Sequence, residues 1–522
     1  MAAAKRYYLT TPIYYVNDAP HIGHAYTSLA CDALARFKRL DGYEVKFLTG
    51  TDEHGQKVEK AAEAAGVDPQ AFTDRVSQHF RDMSPLMNYS NDDFIRTTEP
   101  RHIKACQELW RRMKANGHIY LGKFAGWYAV RDEAFYDESE LVDGKAPTGA
   151  EVEWLEEENY FFDLSKWQQP LLDFYEANPH FLAPRTRKNE VVSFVSSGLR
   201  DLSISRASFK WGVPVPDEPE HIMYVWIDAL TNYMSAAGFP DEGGEYAKFW
   251  PADLHMVGKD IIRFHTVYWP AFLMAAGLKP PKRVFAHGWW TSEGQKMSKS
   301  LGNFITPQGL VERYGLDPTR YFLLRELPFG QDGNFSHAAM VRRINTDLAN
   351  DFGNLAQRVL SQIAKNCEGK VPVAGALTDA DKGLLALAHG LLPRVRSEYD
   401  EQQFHKALEA QWEVVVAGNR YVDEQAPWAL KKTDPTRMAT VLYVLAETIR
   451  HLAILAQPVM PDSAARMLDL LAVPADQRGF TALGPGGALK AGTALPAPQG
   501  VFPRYVEEGQ EPKAGVKAKA GG

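Results

Sequence analysis

The stretch Pro20-His21-Ile22-Gly23-His24 decides how the rest of this chain is read. It follows an apolar run of β-branched and aromatic residues, Tyr7 to Tyr15, that reads as a strand. It opens a segment in which Leu29, Ala33 and Phe37 recur at helical spacing, with Ala30 and Leu34 beside them. The turn between strand and helix sits where a helix start presents N–H groups and partial positive charge, a natural seat for phosphate. Two imidazoles there can donate to oxyanions, and Gly23 lets a flat ring approach the backbone. Taken alone, the same residues read equally well as surface histidines at a helix cap.

Working outward, Glu44 to Thr49 is a second strand, followed by Gly50-Thr51-Asp52-Glu53-His54-Gly55. Helices are expected over Gln56 to Ala65, Pro69 to Met87 and His102 to Lys114. This alternation predicts a parallel sheet. From about Gly117 to Glu220 aromatics and turn residues crowd together, which reads as an inserted compact domain leaving through Val213-Pro214-Val215-Pro216. Strands then resume at Met223 to Ile227, Leu254 to Val257 and Val284 to His287, with an apolar helix over Ile261 to Ala276. Such sheets bind ligands at the carboxyl ends of their strands. His21 to His24, Asp52, Trp226, Gly258 and Gly288 all follow expected strands, so they are expected to line one crevice.

After Ser336 the pattern is helical to Leu471, a bundle. Beyond it Gly, Ala and Pro dominate, and Lys513, Lys517 and Lys519 make a basic tail. The expected segments are 1–116, 117–222, 223–335, 336–475 and 476–522. The fold class is α/β: a Rossmann-like parallel sheet, an inserted α+β connective domain, then an all-α bundle.

The 522 residues suffice for roughly three domains, and a 45% hydrophobic content excludes a disordered chain. With a formal net charge of -7, any nucleic-acid surface must be a local patch. Cys31, Cys106 and Cys367 are too scattered for a disulfide framework. The start lacks the apolar run of a signal peptide, and no stretch of about 18 uninterrupted apolar residues, as a membrane span would need, appears. A cytoplasmic location with no membrane partner is expected.

The second feature is Lys296-Met297-Ser298-Lys299-Ser300, a loop bounded by Gly294 and Gly302. Mobile lysines suit a polyphosphate whose charge shifts during reaction, although a lone pair of lysines in a loop is usually solvated surface. Together with the histidine turn, the loop resembles the two motifs of class I aminoacyl-tRNA synthetases, His-Ile-Gly-His and Lys-Met-Ser-Lys-Ser, letter for letter. The chain most resembles the methionyl-tRNA synthetases, over about residues 5 to 475. Thr10-Thr11-Pro12-Ile13-Tyr14-Tyr15-Val16-Asn17, Tyr224-Val225-Trp226-Ile227-Asp228-Ala229 and Gly258-Lys259-Asp260 are also family-like.

The resemblance implies a methionine–tRNA ligase acting through methionyl-adenylate. The sheet is then the catalytic domain and the bundle the anticodon-binding domain. Catalysis is implied for His21, His24, Lys296 and Lys299. ATP contacts are implied for Gly23, His24, Gly258, Lys259, Asp260, Lys296 and Lys299, with Mg²⁺ carried by the ATP. Methionine contacts are implied for Asp52 at the ammonium and for Ile13, Tyr15, Trp226, Ala229, Tyr233, Ile261 and His265 at the side chain. Leu230 stands where some relatives carry proline. Asn354, Arg358 and Trp428 are implied anticodon contacts, the first two sharing a helix face. Residues 117 to 222 hold no cysteine, which matches the zinc-free branch and predicts no structural zinc and no metal site. The implied partners are tRNA(Met), including the initiator, L-methionine and ATP, with no DNA, and the expected state is a monomer. The alternatives are a class I synthetase for leucine, isoleucine, valine or cysteine, a tRNA-independent adenylyltransferase, and a non-catalytic tRNA-binding relative.

Overall fold

The computed structural model describes residues 5–16, 19–132, 134–295, 297 and 303–507. They form two compact units. The first comprises Met1–Trp290, Met297–Gly309 and Phe329–Gly333; the second comprises Thr291–Lys296, Leu310–Pro328 and Asn334–Gly522.

In the first unit the apolar run from Tyr7 to Tyr15 makes two strands, β1 (Arg6–Thr10) and β2 (Tyr14–Tyr15). Pro12 lies between them and has no N–H to give a ladder. Helix α1 (Ile22–Leu40) follows and buries Leu29, Ala33 and Phe37, as its spacing requires. Next come β3 (Glu44–Asp52), α2 (Gln56–Ala64), α3 (Pro69–Met87), β4 (Asp93–Arg96) and α4 (Pro100–Ala115). Asp68 caps α3 by accepting from the Gln70 and Ala71 N–H groups.

The connective stretch contains β5 (Ile119–Ala129), β6 (Ala134–Tyr136), β7 (Glu153–Phe162), α5 (Gln168–Ala177), β8 (Leu182–Ala183), α6 (Arg185–Ser196), β9 (Leu202–Ser203), β10 (Ser205–Arg206), β11 (Pro214–Val215) and β12 (Glu218–Met223). Two antiparallel sheets, β6-β5-β7-β9 and β10-β12-β11, account for most of these strands. Strand β8 does not join them: it pairs with the main sheet. That sheet therefore takes its edge from inside the stretch that reads as an insertion.

The unit closes with α7 (Val225–Ser235), α8 (Gly244–Phe249), β13 (Leu254–Gly258), α9 (Trp269–Ala275) and β14 (Val284–His287). The main sheet runs β3-β1-β13-β14-β8, with β2 and β4 also on β3, and every pairing is parallel. Strand β1 is flanked by β3 on one side and β13 on the other, so the order reverses there and a crevice opens beyond the carboxyl ends of β1 and β13.

One expectation is corrected. Met223 to Ile227 is not a strand of the main sheet: β12 ends at Met223 and α7 begins at Val225. The β-branched and aromatic residues Tyr224 to Ile227 mimic a strand over a short window. Over eleven residues Ile227, Leu230 and Met234 follow helical spacing and are buried, and burial overrides local propensity. The helix expected over Ile261 to Ala276 is present and continuous, but it widens in the middle. Phe264–Tyr268 forms a wide turn in which the Trp269 N–H reaches the Phe264 carbonyl, and α9 follows. Pro270 cannot donate back to Thr266, and the Tyr175 hydroxyl supplies the missing bond to the Thr266 carbonyl at 2.5 Å.

The remaining helices are α10 (Pro307–Tyr314), α11 (Leu316–Arg325), α12 (His337–Arg343), α13 (Asn354–Asn366), α14 (Asp379–His389), α15 (Leu391–Asp400), α16 (Phe404–Gln425), α17 (Pro427–Thr433), α18 (Pro435–Ala456) and α19 (Pro461–Leu470). A wide turn, Ile344–Gly353, joins α12 to α13. Helix α18 is the core of the bundle in the second unit. Among the described residues it is the one helix long and apolar enough to cross a membrane, and its apolar window is buried in the bundle. Buried Arg320 caps the chain end just past α18 through the Val459 and Pro458 carbonyls at 2.7 and 3.0 Å. The stretch after 476 is not all tail: Phe480, Val501 and Phe502 are buried. Lys513, Lys517 and Lys519 lie outside the described residues.

Candidate active site

The histidine turn heads α1, with His21 as its cap. The free amides expected there are already used. The Ile22 N–H goes to the Ile305 carbonyl at 3.0 Å, and the next amides turn onto the His21 ring. The Gly23 N–H donates to His21 Nδ1 at 3.0 Å, and the His21 N–H donates to His24 Nδ1 at 3.1 Å. A backbone N–H can only donate, so both Nδ1 atoms are acceptors and each neutral ring carries its proton on Nε2. The two rings lie 3.8 Å apart, and Tyr14 and Phe80 hold the His24 ring at 4.8 and 5.3 Å between centroids. Burial, then the neighbouring His21, keeps His24 well below the usual imidazole pKa, so it is neutral at pH 7. A side chain at Gly23 would meet His21 Cε1 at 2.8 Å. The His21 ring thus lies against this glycine.

Beyond β13, Gly258 leaves space that a Cβ would take from Asp260 Oδ1, at 2.5 Å. That oxygen accepts from Trp289 Nε1 at 3.2 Å. Lys259 is engaged: its ammonium is 2.6 and 2.8 Å from the Asp332 carboxylate and 4.4 Å from the centre of the Trp289 ring. Lys296 and Lys299 lie outside the described residues.

Several of the residues implied for methionine touch one another. Asp52 is buried at the end of β3, in register with Tyr15 on β2. Its charge is close enough to Tyr233 to help burial raise that phenol's pKa. The Tyr233 hydroxyl lies 2.6 Å from His265 Nε2, and His265 Nδ1 lies 2.9 Å from the Ile261 carbonyl. A carbonyl only accepts, so Nδ1 holds the proton and Nε2 accepts from Tyr233. Burial brings His265 down to about 4, against the Ile261 bond, which works the other way. Trp226 lies flat on Phe264 at 3.7 Å and edge-on to His265 at 6.1 Å. Ala229 is buried beside them on α7, and Ile13 packs on the same core. Lys57 lies over the Tyr15 ring at 5.3 Å. Leu230 points into the core.

Some polar residues here have no motif to announce them. His255 is buried on β13, with Nδ1 2.8 Å from Thr10 Oγ1 and Nε2 accepting from Trp269 Nε1 at 3.4 Å. His287 at the end of β14 lies 2.7 Å from Thr27 Oγ1, which fastens α1 to that strand. Asp228 on α7 is buried against His54 and His102. The available signal was an acid flanked by apolar residues on both sides, Val225–Ile227 and Ala229–Leu230.

In the second unit, Arg358 on α13 is 2.7 Å from Asp423 on α16, and its guanidinium lies over the Trp428 ring at 5.4 Å. The ring is 47% exposed. A cavity of about 240 Å³ opens here, lined by Gln357, Arg358, Ser361, Val422, Trp428 and Leu442. Asn354, one helical turn before Arg358, is exposed.

In the connective stretch, Asp132 accepts from the Tyr136 hydroxyl at 3.1 Å and from Thr148, and Arg131 donates to the Thr148 carbonyl at 2.7 Å. These bonds close its turn over a small core of Ala129, Ala146 and Ala150. Among the described residues, two groups of His, Cys, Asp or Glu are tight enough to hold an ion, His102–Cys106–Asp228 and His389–Glu447–His451, and neither falls in 117–222.

The family model for class I tRNA synthetases of the methionine type matches residues 7–153 and 140–360. The model for the anticodon-binding domain of methionyl tRNA ligase matches 371–516. The methionine–tRNA ligase of Mesorhizobium japonicum is 59% identical over 509 residues, covering 97% of this chain and 98% of its own. That of Brucella suis is 58% identical, covering 97% and 99%. A solved structure of Mycobacterium tuberculosis methionyl-tRNA synthetase with methionyl-adenylate has 58% sequence identity and a TM-score of 0.93, covering 96% of this chain and all of that one.

Proposed function

Because the chain belongs to the methionyl-tRNA synthetases of class I, and so is an ATP-using methionine–tRNA ligase with an anticodon-binding domain, we propose how its residues divide the work. In the first step a methionine carboxylate oxygen bonds to the α-phosphorus of ATP, and the bond from that phosphorus to the departing pyrophosphate breaks. In the second, the 3′-terminal ribose hydroxyl of tRNA takes the methionyl group and AMP leaves.

His21 and His24 act as fixed donors. Their Nε2–H groups face the phosphate oxygens as charge builds on the pentacoordinate phosphorus, and neither ring takes up or gives away a proton. Lys296 and Lys299 neutralise the departing pyrophosphate. Gly23 admits adenine, and Gly258, Lys259 and Asp260 cradle the nucleotide, Lys259 exchanging Asp332 for it. Asp52 pairs with the ammonium of methionine. Trp226, Tyr233 and His265, with Ile13, Tyr15, Ala229 and Ile261, enclose the thioether in a polarizable wall. Neutral His265 keeps that wall uncharged. Mg²⁺ enters on the ATP: the turn offers N–H donors, which suit phosphate oxygens and not a cation. The connective stretch binds no zinc, which metal analysis of the purified protein tests. In the second unit Asn354, Arg358 and Trp428 receive the anticodon of tRNA(Met), initiator included. The enzyme works as a cytoplasmic monomer.

The observation that supports this reading most is the pair of Nδ1 atoms occupied by backbone amides. The test compares His24→Gln, whose Nε2–H can stand where the imidazole donor stands, with His24→Asn, whose amide is too short. In ATP–pyrophosphate exchange, His24→Asn is expected to lose about a hundredfold in kcat at unchanged methionine KM, and His24→Gln clearly less. The pH profile between 6.5 and 8.5 keeps its shape in both. Loss of a pH limb in the variants would instead make His24 an acid–base group and overturn the reading.

A further inference from the structure

The loop carrying Asp52 and the helix carrying Trp226, Ala229 and Tyr233 are far apart in sequence, and one buried carboxylate ties them together. Asp228 on α7 is fully buried. Its Oδ2 lies 2.6 Å from His54 Nδ1, and its Oδ1 lies 2.7 Å from His102 Nε2. His54 is two residues beyond Asp52, and His102 is in the first turn of α4. The other His102 nitrogen reaches Ser235 Oγ at 2.9 Å, at the far end of α7, and Ser235 donates onward to the Thr231 carbonyl at 3.0 Å. One imidazole thus grips α7 at two points about two turns apart, and a second joins the same carboxylate to the Asp52 loop.

The loop is held from its other side too. Trp211 Nε1 donates to the Glu53 carbonyl at 2.6 Å, and the Glu53 carboxylate accepts from Arg96, Thr51 and Thr98 at 2.7 to 2.9 Å. Both residues that follow Asp52 are therefore committed to fixed bonds. Burial opposes the charge on Asp228, but the two imidazoles outweigh it and hold the carboxyl below the usual range. A metal reading of His102, Cys106 and Asp228 fits less well. Their 2.7 and 3.2 Å separations are those of direct hydrogen bonds, and tetrahedral zinc with bonds of about 2.0 Å would hold its N and O ligands roughly 3.3 Å apart.

We propose that the His54–Asp228–His102 bridge is a positioning device that fixes the distance between the ammonium-binding carboxylate and the side-chain wall, and so sets the length of amino acid the pocket accepts. The inference rests on the assignment of Asp52 to the ammonium and of α7 to the wall. None of the three bridge residues touches the amino acid in that assignment. They act through Asp52 and Trp226, and displacement of a positioned group by about 1 Å costs on the order of a hundredfold in rate.

The experiment uses the full-length enzyme in ATP–pyrophosphate exchange, with methionine and with ethionine, which is one methylene longer. Asn places an amide N–H where imidazole Nδ1 stands, and Gln reaches only the Nε2 position. His54→Asn therefore keeps the bond to Asp228, and His54→Gln does not. His54→Gln and Asp228→Asn are expected to raise the methionine KM about tenfold and to narrow the methionine-to-ethionine ratio of kcat/KM at least about threefold, with the ATP KM unchanged. His54→Asn is expected to return both methionine readouts to within about threefold of the parent. Thermal melting checks that each variant is folded, and His54→Gln carries the test if Asp228→Asn is not.

Asp52→Asn is measured beside them. If it leaves the methionine KM unchanged, the ammonium assignment fails, and the inference with it. If it raises that KM while His54→Gln alters neither KM nor selectivity, the inference alone is overturned. Equal losses in His54→Asn and His54→Gln, with the ATP KM rising too, would mean that the bridge only holds the fold together, which also overturns it.

Discussion

At the head of α1 both imidazoles are tied through Nδ1 to backbone N–H groups, and His24 is packed against both Tyr14 and Phe80. On α13, Arg358 is held by an ion pair to Asp423 and leans over a half-exposed Trp428. Under the proposed function the two regions face different physical tasks. Groups that meet a transition state gain most when they need not reorganise, so rigidity supports rate. Groups that receive a splayed single-stranded base gain from an open aromatic face that the base itself completes. Substitutions should therefore cost much in chemistry at the first region and less, only in tRNA use, at the second.

The sharpest break of that contrast is at Lys299. Lys299→Ala is expected to lower kcat in methionine-dependent pyrophosphate exchange at least about a hundredfold, near 3 kcal/mol of transition-state stabilisation, with methionine binding by calorimetry unchanged. Exchange at the parent rate would remove the lysine loop from the chemistry.

Next is the acid response of the pocket. The His265 pKa is about 4 in the folded protein, against 6.5 for the free side chain, because the ring is buried. Between those values the unfolded chain binds the proton and the folded chain does not. Stability from this group is thus intact above about pH 6.5 and is lost as pH falls toward 4, on the order of 3 kcal/mol in all. Urea unfolding of the parent at pH 7 and 4.5 should show a steeper drop than that of His265→Asn, which cannot titrate. Equal drops in the two proteins would place the acid sensitivity elsewhere.

What the sequence made legible follows from where the signal was local. The strand–turn–helix around His21, the bounds Pro69–Met87 of α3 and the helical run after Ser336 rest on spacing, capping and turn residues, and the structure has them. What escaped depends on partners distant in the chain. Tyr224 to Ile227 looks like a strand until the burial of Ile227, Leu230 and Met234 on one face makes it part of a helix. The widened turn near Pro270 is stabilised by Tyr175, about ninety residues earlier. Strand β8 is two residues long and gains its place only from β14. At the turn itself, the residues read as phosphate-facing amides spend those amides on Ile305 and His21. The face of α13 that carries Asn354 and Arg358 was legible as a face because the two are four apart, while its tether to Asp423 required the packing of α13 on α16.

At that face the larger effect is expected from Trp428→Ala. Base-on-aromatic stacking is worth about 1–3 kcal/mol per base, so kcat/KM for tRNA should fall about tenfold to a hundredfold. Pyrophosphate exchange should be unchanged. Equal loss in both assays would make Trp428 a packing residue.

The smallest effect tests whether the tether to Asp423 matters. Asp423 holds the Arg358 guanidinium from one side while Trp428 lies against its face. Its side chain is 63% exposed and that of Arg358 is 31% exposed, so solvent screens the pair, and such pairs contribute at most about 1 kcal/mol. Asp423→Asn keeps an acceptor oxygen and removes the charge. The expected result is a loss of less than about fivefold in kcat/KM for tRNA, smaller still at high salt in both proteins, because screening weakens the same pair. A loss as large as that of Trp428→Ala would mean that Arg358 must be pre-aimed, and the second region would then share the rigidity of the first.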